Sequence, residues 1–333
     1  MKIAVVGCGA VGSFYGAKLA RAGEDVHFLL RSDYDAVRRR GVQIRSPQGD
    51  FRVQPKCARL PEEIGVSDVV LIALKTTAND QFTRLLPDLI GSSTVLLTLQ
   101  NGLGNEEQLA ALAPIDRIMG GLCFVCLNRI EPGVVHHLDH GQIILGEFQR
   151  WPEPRTHDIA SRFRNAGVPC AVTDNLQRTH WEKLVWNIPF NGLGVASAAG
   201  LKAVQNGTLA EDPRFEPCLT TDKLLQDEAW TMLVRELMKE IIGAARALGL
   251  NLQNELAHKQ IERTRTMGAY KASTLIDFER RQPLELHSLF LEPLRQGRAA
   301  GFEMPRLAAL CRVLEQLDPA NPKVQGSPQA IDS

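Results

Sequence analysis

The sequence of 333 residues has no net charge, no long apolar run, no paired cysteine pattern and no internal repeat. Lysine plus arginine number 38 and aspartate plus glutamate 38, so nothing in the charge balance draws the chain to a nucleic acid or an anionic lipid surface. The longest apolar runs, such as residues 69–74, fall far short of the roughly 20 residues that a membrane span needs. The opening Met1-Lys2-Ile3-Ala4-Val5-Val6-Gly7 meets glycine at once and lacks the small-residue cleavage site of a secretory signal. The seven cysteines, at 8, 57, 123, 126, 170, 218 and 311, are odd in number and scattered, the wrong pattern for a disulfide framework. These absences predict a soluble globular protein of the cytoplasm, with neither a nucleic acid nor a membrane as partner.

What is present is enough chain for two cores, since a single core usually stops growing near about 250–300 residues. Up to about residue 175, short β-branched runs at 3–6, 26–30, 69–74, 94–99, 118–122 and 125–127 alternate with amphipathic helical stretches. That alternation predicts an α/β fold, a Rossmann-like doubly wound parallel sheet. From residue 176 the strand signals stop and 3.6-residue patterns take over, over 230–248 and 284–314, so an all-helical C-terminal domain is expected over 176–317. Residues 196–218 read as a surface excursion of that domain, and 318–333, rich in Pro, Asn, Gly and Ser, as a flexible tail outside either core.

Gly7-Cys8-Gly9-Ala10-Val11-Gly12 is a GxGxxG that follows a hydrophobic strand and opens a helix, the context in which this pattern binds a dinucleotide. The first glycine permits the tight turn, the second lets backbone approach a pyrophosphate, the third lets helix pack on strand, and the helix start supplies N–H groups. A glycine turn without a ligand is the alternative. The next strand leads into Arg31-Ser32, where an NAD site would carry an acid for the ribose hydroxyls. Arginine suits a 2′-phosphate, which favours NADPH/NADP+; a solvated arginine past a strand is the other reading.

Two later strand ends lead into polar residues, Lys75 after Leu71-Ile72-Ala73-Leu74 and Asn101 in Gln100-Asn101-Gly102. Ligands bind α/β sheets at such carboxyl ends. Against this stand an idle loop lysine and an Asn-Gly turn residue chosen for left-handed tolerance. In the helical half, Lys183, Asn187 and Asn191 recur every four residues among Trp181, Trp186 and Phe190. That spacing stacks them on one helix face, and Pro189 leaves the facing roughly intact. One lysine and two amides among aromatics line a site or form a buried network. A partly desolvated lysine gives up its proton more readily.

This combination resembles the ketopantoate reductase family (2-dehydropantoate 2-reductases), which reduce a 2-keto acid with NADPH on a Rossmann domain followed by a helical one. The resemblance rests on Gly7 to Gly12, Arg31, Lys75, Gln100-Asn101-Gly102, the Lys183/Asn187/Asn191 helix, and Ala272-Ser273-Thr274-Leu275-Ile276-Asp277 followed by Glu285, and it spans residues 1 to about 315. It implies that Lys183 is the general acid for the keto oxygen and Glu285 the anchor of a substrate hydroxyl. It further implies that Ser273 contacts the substrate carboxylate, that Asn187 and Asn191 orient the substrate, and that Asn101 and Lys75 contact cofactor and substrate. The implied reaction is ketopantoate to pantoate, a step towards coenzyme A, in a monomer or a homodimer. Family members commonly follow the glutamate with an aspartate two positions on and then an Asn-Gly pair; here Leu286-His287-Ser288-Leu289-Phe290 follows, and the excursion at 196–218 is longer than the compact family version.

Two rival readings fit the same residues: a reductase of another 2-keto acid, with His287 touching substrate, and an NADP-responsive regulator without turnover. Other signals are discounted. Cys123 and Cys126 have CxxC spacing without a second pair, and His136, His137 and His140 sit in a polar hairpin or loop, so no metal is expected. Arg38-Arg39-Arg40 reads as a solvated helix end.

Overall fold

The run Lys2-Ile3-Ala4-Val5-Val6 is apolar on both faces, as suits a strand covered by helices on both sides, and it forms β1 (Lys2–Val6). In this computed structural model, which describes residues 1–211, 213 and 215–321, nine further strands join it in one sheet. They are β2 (Asp25–Leu29), β3 (Val42–Arg45), β4 (Phe51–Val53), β5 (Lys56–Ala58), β6 (Val69–Ile72), β7 (Val95–Thr98), β8 (Ile118–Glu131), β9 (Val134–Glu147) and β10 (Cys170–Val172). The order β4-β3-β9-β8-β7-β6-β1-β2-β5, with β10 also on β9, contains the Rossmann sequence β5-β2-β1-β6-β7-β8 in parallel pairing. The order reverses between β1 and β6, where such sheets bind ligands.

The sheet is mixed where a wholly parallel one was expected. Among the described residues β3–β4 and β8–β9 pair antiparallel. The runs at 118–122 and 125–127 are two residues apart, far too close for the crossover that parallel neighbours need, so they fuse into β8. The two-residue turn Pro132-Gly133, with Gly133 at φ +75°, then returns the chain as β9. His136, His137 and His140 therefore lie in a strand. His137 is buried against Phe14 and bonded to Ser46 Oγ at 2.9 Å, with burial lowering its pKa, while His136 and His140 face outward. Cys123 and Cys126 are buried positions of β8.

Alternate residues of each central strand serve two cores. Ile3 and Val5 pack with Phe14, Tyr15 and Leu19 of α1 (Ala10–Arg21), whereas Ala4 and Val6 pack with Phe82, Leu86 and Leu109 on the other face. The connections also hold α2 (Tyr34–Arg40), α3 (Pro61–Ile64), α4 (Phe82–Leu85), α5 (Asn105–Ala110) and α6 (Pro154–Asn165).

The described chain forms two compact units, one over Met1–Thr179 and one from His180 onward. The second unit carries most of α7 (Leu176–Ala196), then α8 (Leu201–Asn206), α9 (Thr221–Gln226), α10 (Glu228–Ala247), α11 (Glu255–Arg265), α12 (Ser273–Glu279), α13 (Glu292–Ala299) and α14 (Pro305–Leu317). It has no strand among the described residues. No helix of the described residues is long and apolar enough to cross a membrane.

From Trp181 to Ala198 nearly every residue is buried, which makes α7 the central helix of its unit. Around it, α10 presents Leu233, Leu237, Met238, Ile241 and Ala245 as a 3.6-residue stripe, and Asp227 caps its start by accepting from the N–H groups of Ala229 (2.9 Å) and Trp230 (3.0 Å). The pattern read over 284–314 breaks into α13 and α14. Gly301, at φ +77°, closes α13 in the left-handed region, and Pro305 opens α14. Residues 196–206 are not a surface excursion, because Ser197, Ala198, Ala203 and Val204 are buried and α8 packs on α14. The outward part begins at Thr208, with Asp212 and Arg214 outside the described residues. Of the expected tail, Asp318 accepts from Leu284 N–H at 3.2 Å, and residues 322–333 lie outside the described residues.

Gly192 lets α7 approach its neighbours, since a Cβ there would stand 2.6 Å from Leu310 Cδ2 and 2.9 Å from Phe290 Cε1. The variant G192V should therefore lose about 1–3 kcal/mol of stability through overpacking. Urea unfolding checks this, and an unchanged midpoint would contradict the close packing.

Candidate active site

In the first unit, candidate cofactor-binding residues lie at the switch point. Gly7, at φ +96°, holds a conformation that other residues rarely adopt, and a Cβ there would collide with the backbone N of Leu74 beyond β6. A Cβ at Gly12 would collide with the carbonyl of Gly7. Gly9 is different: its φ is −74° and no protein atom lies within 4 Å of where its Cβ would be. Neither backbone strain nor packing requires glycine there, and the missing side chain leaves the backbone of the turn open to close approach. The first bond of α1 runs from Ser13 N–H to Gly9 O at 3.1 Å, which leaves the N–H groups of Ala10, Val11 and Gly12 for an outside acceptor. No side chain caps this helix start and no acid sits in its first turn. These features fit the pyrophosphate of a dinucleotide. Burial pushes the Cys8 thiol well above its usual pKa, so a neutral group lines the turn, and Ser13 Oγ braces it by donating to Cys8 O at 2.9 Å.

Arg31 lies two residues past β2 with its side chain exposed, and no described residue bonds its guanidinium. Arg38, Arg39 and Arg40 form the exposed last turn of α2. Sequence reasoning passed over Asp33, a 6% exposed carboxylate beside Arg31. It accepts from Arg129 Nε at 2.9 Å and from Arg129 Nη2, and from Gly133 N–H at 3.2 Å.

Lys75 is exposed at the head of the short helix Thr76–Gln81, and Asn101 is half-buried just past β7. The left-handed positions of that second loop are Gly102 and Gly104, not Asn101, so tolerance of φ above zero does not explain the asparagine. A chain of amides ties the two loops together. Gln100 Nε2 donates to Leu74 O (3.0 Å) and Asn79 Oδ1 (2.7 Å), Asn79 Nδ2 to Asn105 Oδ1 (3.0 Å), and Asn105 Nδ2 to Asn101 O (3.1 Å). The sequence offered only polar residues near strand ends as a sign of this network.

The second unit contributes Lys183, Asn187 and Asn191 from α7, which stays helical through Pro189. Lys183 is half-buried, Asn187 is 6% exposed and Asn191 2%. Asn191 Oδ1 accepts from Ser273 Oγ at 3.2 Å and from Thr274 N–H at 3.0 Å, so it caps α12 and brings Ser273 to α7. Its Nδ2 has no acceptor among the described residues. The side-chain amide of Asn187 likewise bonds no described residue. Neither amide is among the fully buried polar atoms that lack a partner, so both reach the surface of the helix, one helical turn apart beside a lysine. The flanking aromatics are packing: Trp181 is fully buried, and Trp186 donates from Nε1 to Thr264 Oγ1 at 2.9 Å while stacking on Phe190.

Glu285, 5% exposed, comes from a separate segment, just before a π turn over His287–Leu291. Such widened turns recur at functional sites. Phe290 of that turn packs at Gly192, next to Asn191, which anchors the segment to α7. Ser288 is buried with Glu285, whereas His287 is exposed and lies close enough to Glu292 for its charge to help hold that carboxyl's pKa down, behind the larger effect of Arg295. Among the described residues no cluster of three or more His, Cys, Asp or Glu is arranged to hold a metal ion.

Comparison with known proteins agrees with both halves. The family model described as ketopantoate reductase PanE/ApbA matches residues 3–150, and that of the ketopantoate reductase PanE/ApbA C terminal matches 217–318. A 2-dehydropantoate 2-reductase of Nostoc sp. is 37% identical over 330 residues, covering 96% of each chain. The crystal structure of 2-dehydropantoate 2-reductase from Geobacter metallireducens is 45% identical, covers 95% of this chain and 99% of its own, and has a TM-score of 0.87. That from Methylococcus capsulatus is 30% identical, covers 99% of each chain, and has a TM-score of 0.85. With the glycine turn, the polar α7 face and both family domains in one chain, this protein belongs to the ketopantoate reductase family of oxidoreductases.

Proposed function

We propose that the chain reduces 2-dehydropantoate (ketopantoate) to pantoate with NADPH, in the pathway to pantothenate and coenzyme A. The observation that carries this reading is the pair of buried amides, Asn187 and Asn191, with donors left over beside Lys183. The activity named for the relatives supports the same substrate. Arg31, exposed and without an acid to pair with, supports NADPH over NADH. The odd, scattered cysteines support a reducing compartment and with it the cytoplasm.

When bound, NADPH supplies the hydride for the carbonyl carbon. As that carbon is reduced, charge builds on its oxygen, and Lys183 Nζ donates a hydrogen bond and then its proton to it. The amine regains a proton from solvent, so one hydride and one proton enter for each pantoate formed. Asn187 and Asn191 direct Nδ2 donors at substrate oxygens. Ser273 Oγ, which donates to Asn191 Oδ1 at 3.2 Å without substrate, turns that single proton to the substrate carboxylate when substrate binds, and Asn191 Oδ1 keeps its bond from Thr274 N–H. Glu285 accepts from the substrate hydroxyl. Ser288, buried on the same turn as Glu285, replaces the residue types common at this place in the family, and it favours a second reading in which the acceptor is another 2-keto acid.

Two measurements test this. With NADPH oxidation followed by absorbance over a panel of 2-keto acids, ketopantoate should have the highest kcat/KM; a higher value for an acid without the hydroxyl would move the assignment to the second reading. The variant K183A should lower kcat by a factor of roughly 10² to 10⁴ while NADPH affinity holds. Weakened NADPH binding with normal kcat would remove the general-acid role.

A further inference from the structure

The end of β2 carries two opposed signals for the cofactor. Arg31 suits a 2′-phosphate, yet Asp33, two residues on, is the residue type that in this kind of sheet accepts the ribose hydroxyls of NAD and repels a phosphate. The carboxylate is near the cofactor turn, since its charge adds to the upward pressure on the Cys8 thiol. The β8–β9 hairpin removes the conflict from 96 residues away. Arg129 of β8 grips both carboxylate oxygens, through Nε to Oδ2 at 2.9 Å and through Nη2 to Oδ1. The turn residue Gly133 adds its N–H to Oδ2 at 3.2 Å, and Ser32 Oγ donates to Oδ1 at 3.0 Å. With four donors and burial to 6% exposure, Asp33 has little acceptor capacity or net charge left to offer.

We propose that Arg129 is a cofactor-specificity residue that acts through Asp33: by pairing with this carboxylate it withdraws it from the ribose and leaves Arg31 as the group that meets the 2′-phosphate. Arg129 is thus a positioning residue, and the inference rests on the NADPH reading above. A purely structural clamp would treat the two cofactors alike, so the ratio of kcat/KM for NADPH to that for NADH separates the two roles.

That ratio is measured with ketopantoate for the wild type, R129M and the double variant R129M/D33N, with thermal unfolding to verify folding. R129M should lower the ratio about tenfold or more, chiefly through a higher KM for NADPH, because an unpaired carboxylate then faces the phosphate. R129M/D33N, which removes that carboxylate's charge, should bring the ratio back to within about threefold of wild type. An unchanged ratio in folded R129M overturns the proposal. So does a ratio that stays low in the double variant, since Arg129 would then touch the phosphate itself. A wild type without preference for NADPH overturns the NADPH reading and this inference together, whereas a preference undiminished in R129M overturns the inference alone. If R129M does not fold, R129Q, which keeps a donor to Asp33 without the charge, makes the same comparison.

Discussion

A helix buried on nearly all sides is destabilised by each polar group that lacks a partner, and α7 carries Glu182, Lys183, Asn187 and Asn191 beside the buried Nε1 of Trp181, which has no partner among the described residues. This constraint shapes the second unit. Asn191 meets half of its requirement within the protein, where its oxygen caps α12 and draws Ser273 against the helix. Its nitrogen, and the whole amide of Asn187, bond no described residue, and in the proposed reading they serve the substrate, with Lys183 one turn before them. The surrounding aromatics hold the helix in place, and Gly192 admits Phe290 and with it the segment that bears Glu285.

The first unit answers to a different constraint, the close passage of the Gly7 turn over the backbone that leaves β6. That approach positions the open start of α1, and the amide chain through Gln100, Asn79 and Asn105 couples the two loops that carry Lys75 and Asn101. A side chain at residue 9 would meet no described protein atom, so glycine there leaves the turn's backbone open to the dinucleotide of the proposed reading. Preorganisation of this kind keeps the cofactor-binding donors in place before the cofactor arrives.

Much of this was legible in the sequence because it is local. The glycine spacing, the four-residue recurrence on α7 and the alternation of strands with helices are all short-range patterns with one physical meaning each. What was hidden depends on pairs far apart in the chain. Asp33 carries no signal in the sequence because Arg129 and Gly133, which hold it, lie about a hundred residues on, and nothing near Asn191 shows that its partner is the start of α12. The hairpin is hidden because the apolar runs of β8 read as two strands of a parallel sheet, although two residues leave no room for a crossover. Residues 196–206 were placed at the surface from their glycine and polar content, yet small residues also pack closely, and this stretch sits against α14.

The central claim is that the Asn187 amide is left without a protein partner so that it can serve the substrate. It is tested most directly by N187L, an apolar replacement of similar size, measured for thermal unfolding without ligands and for kcat/KM on ketopantoate. If the amide has no partner in the ligand-free protein, removing it relieves a desolvation cost, so Tm should hold or rise while kcat/KM falls by a factor of about 10² or more. A Tm lowered by several degrees with kcat/KM intact would show that Asn187 belongs to the protein's own bonding, and would contradict the account.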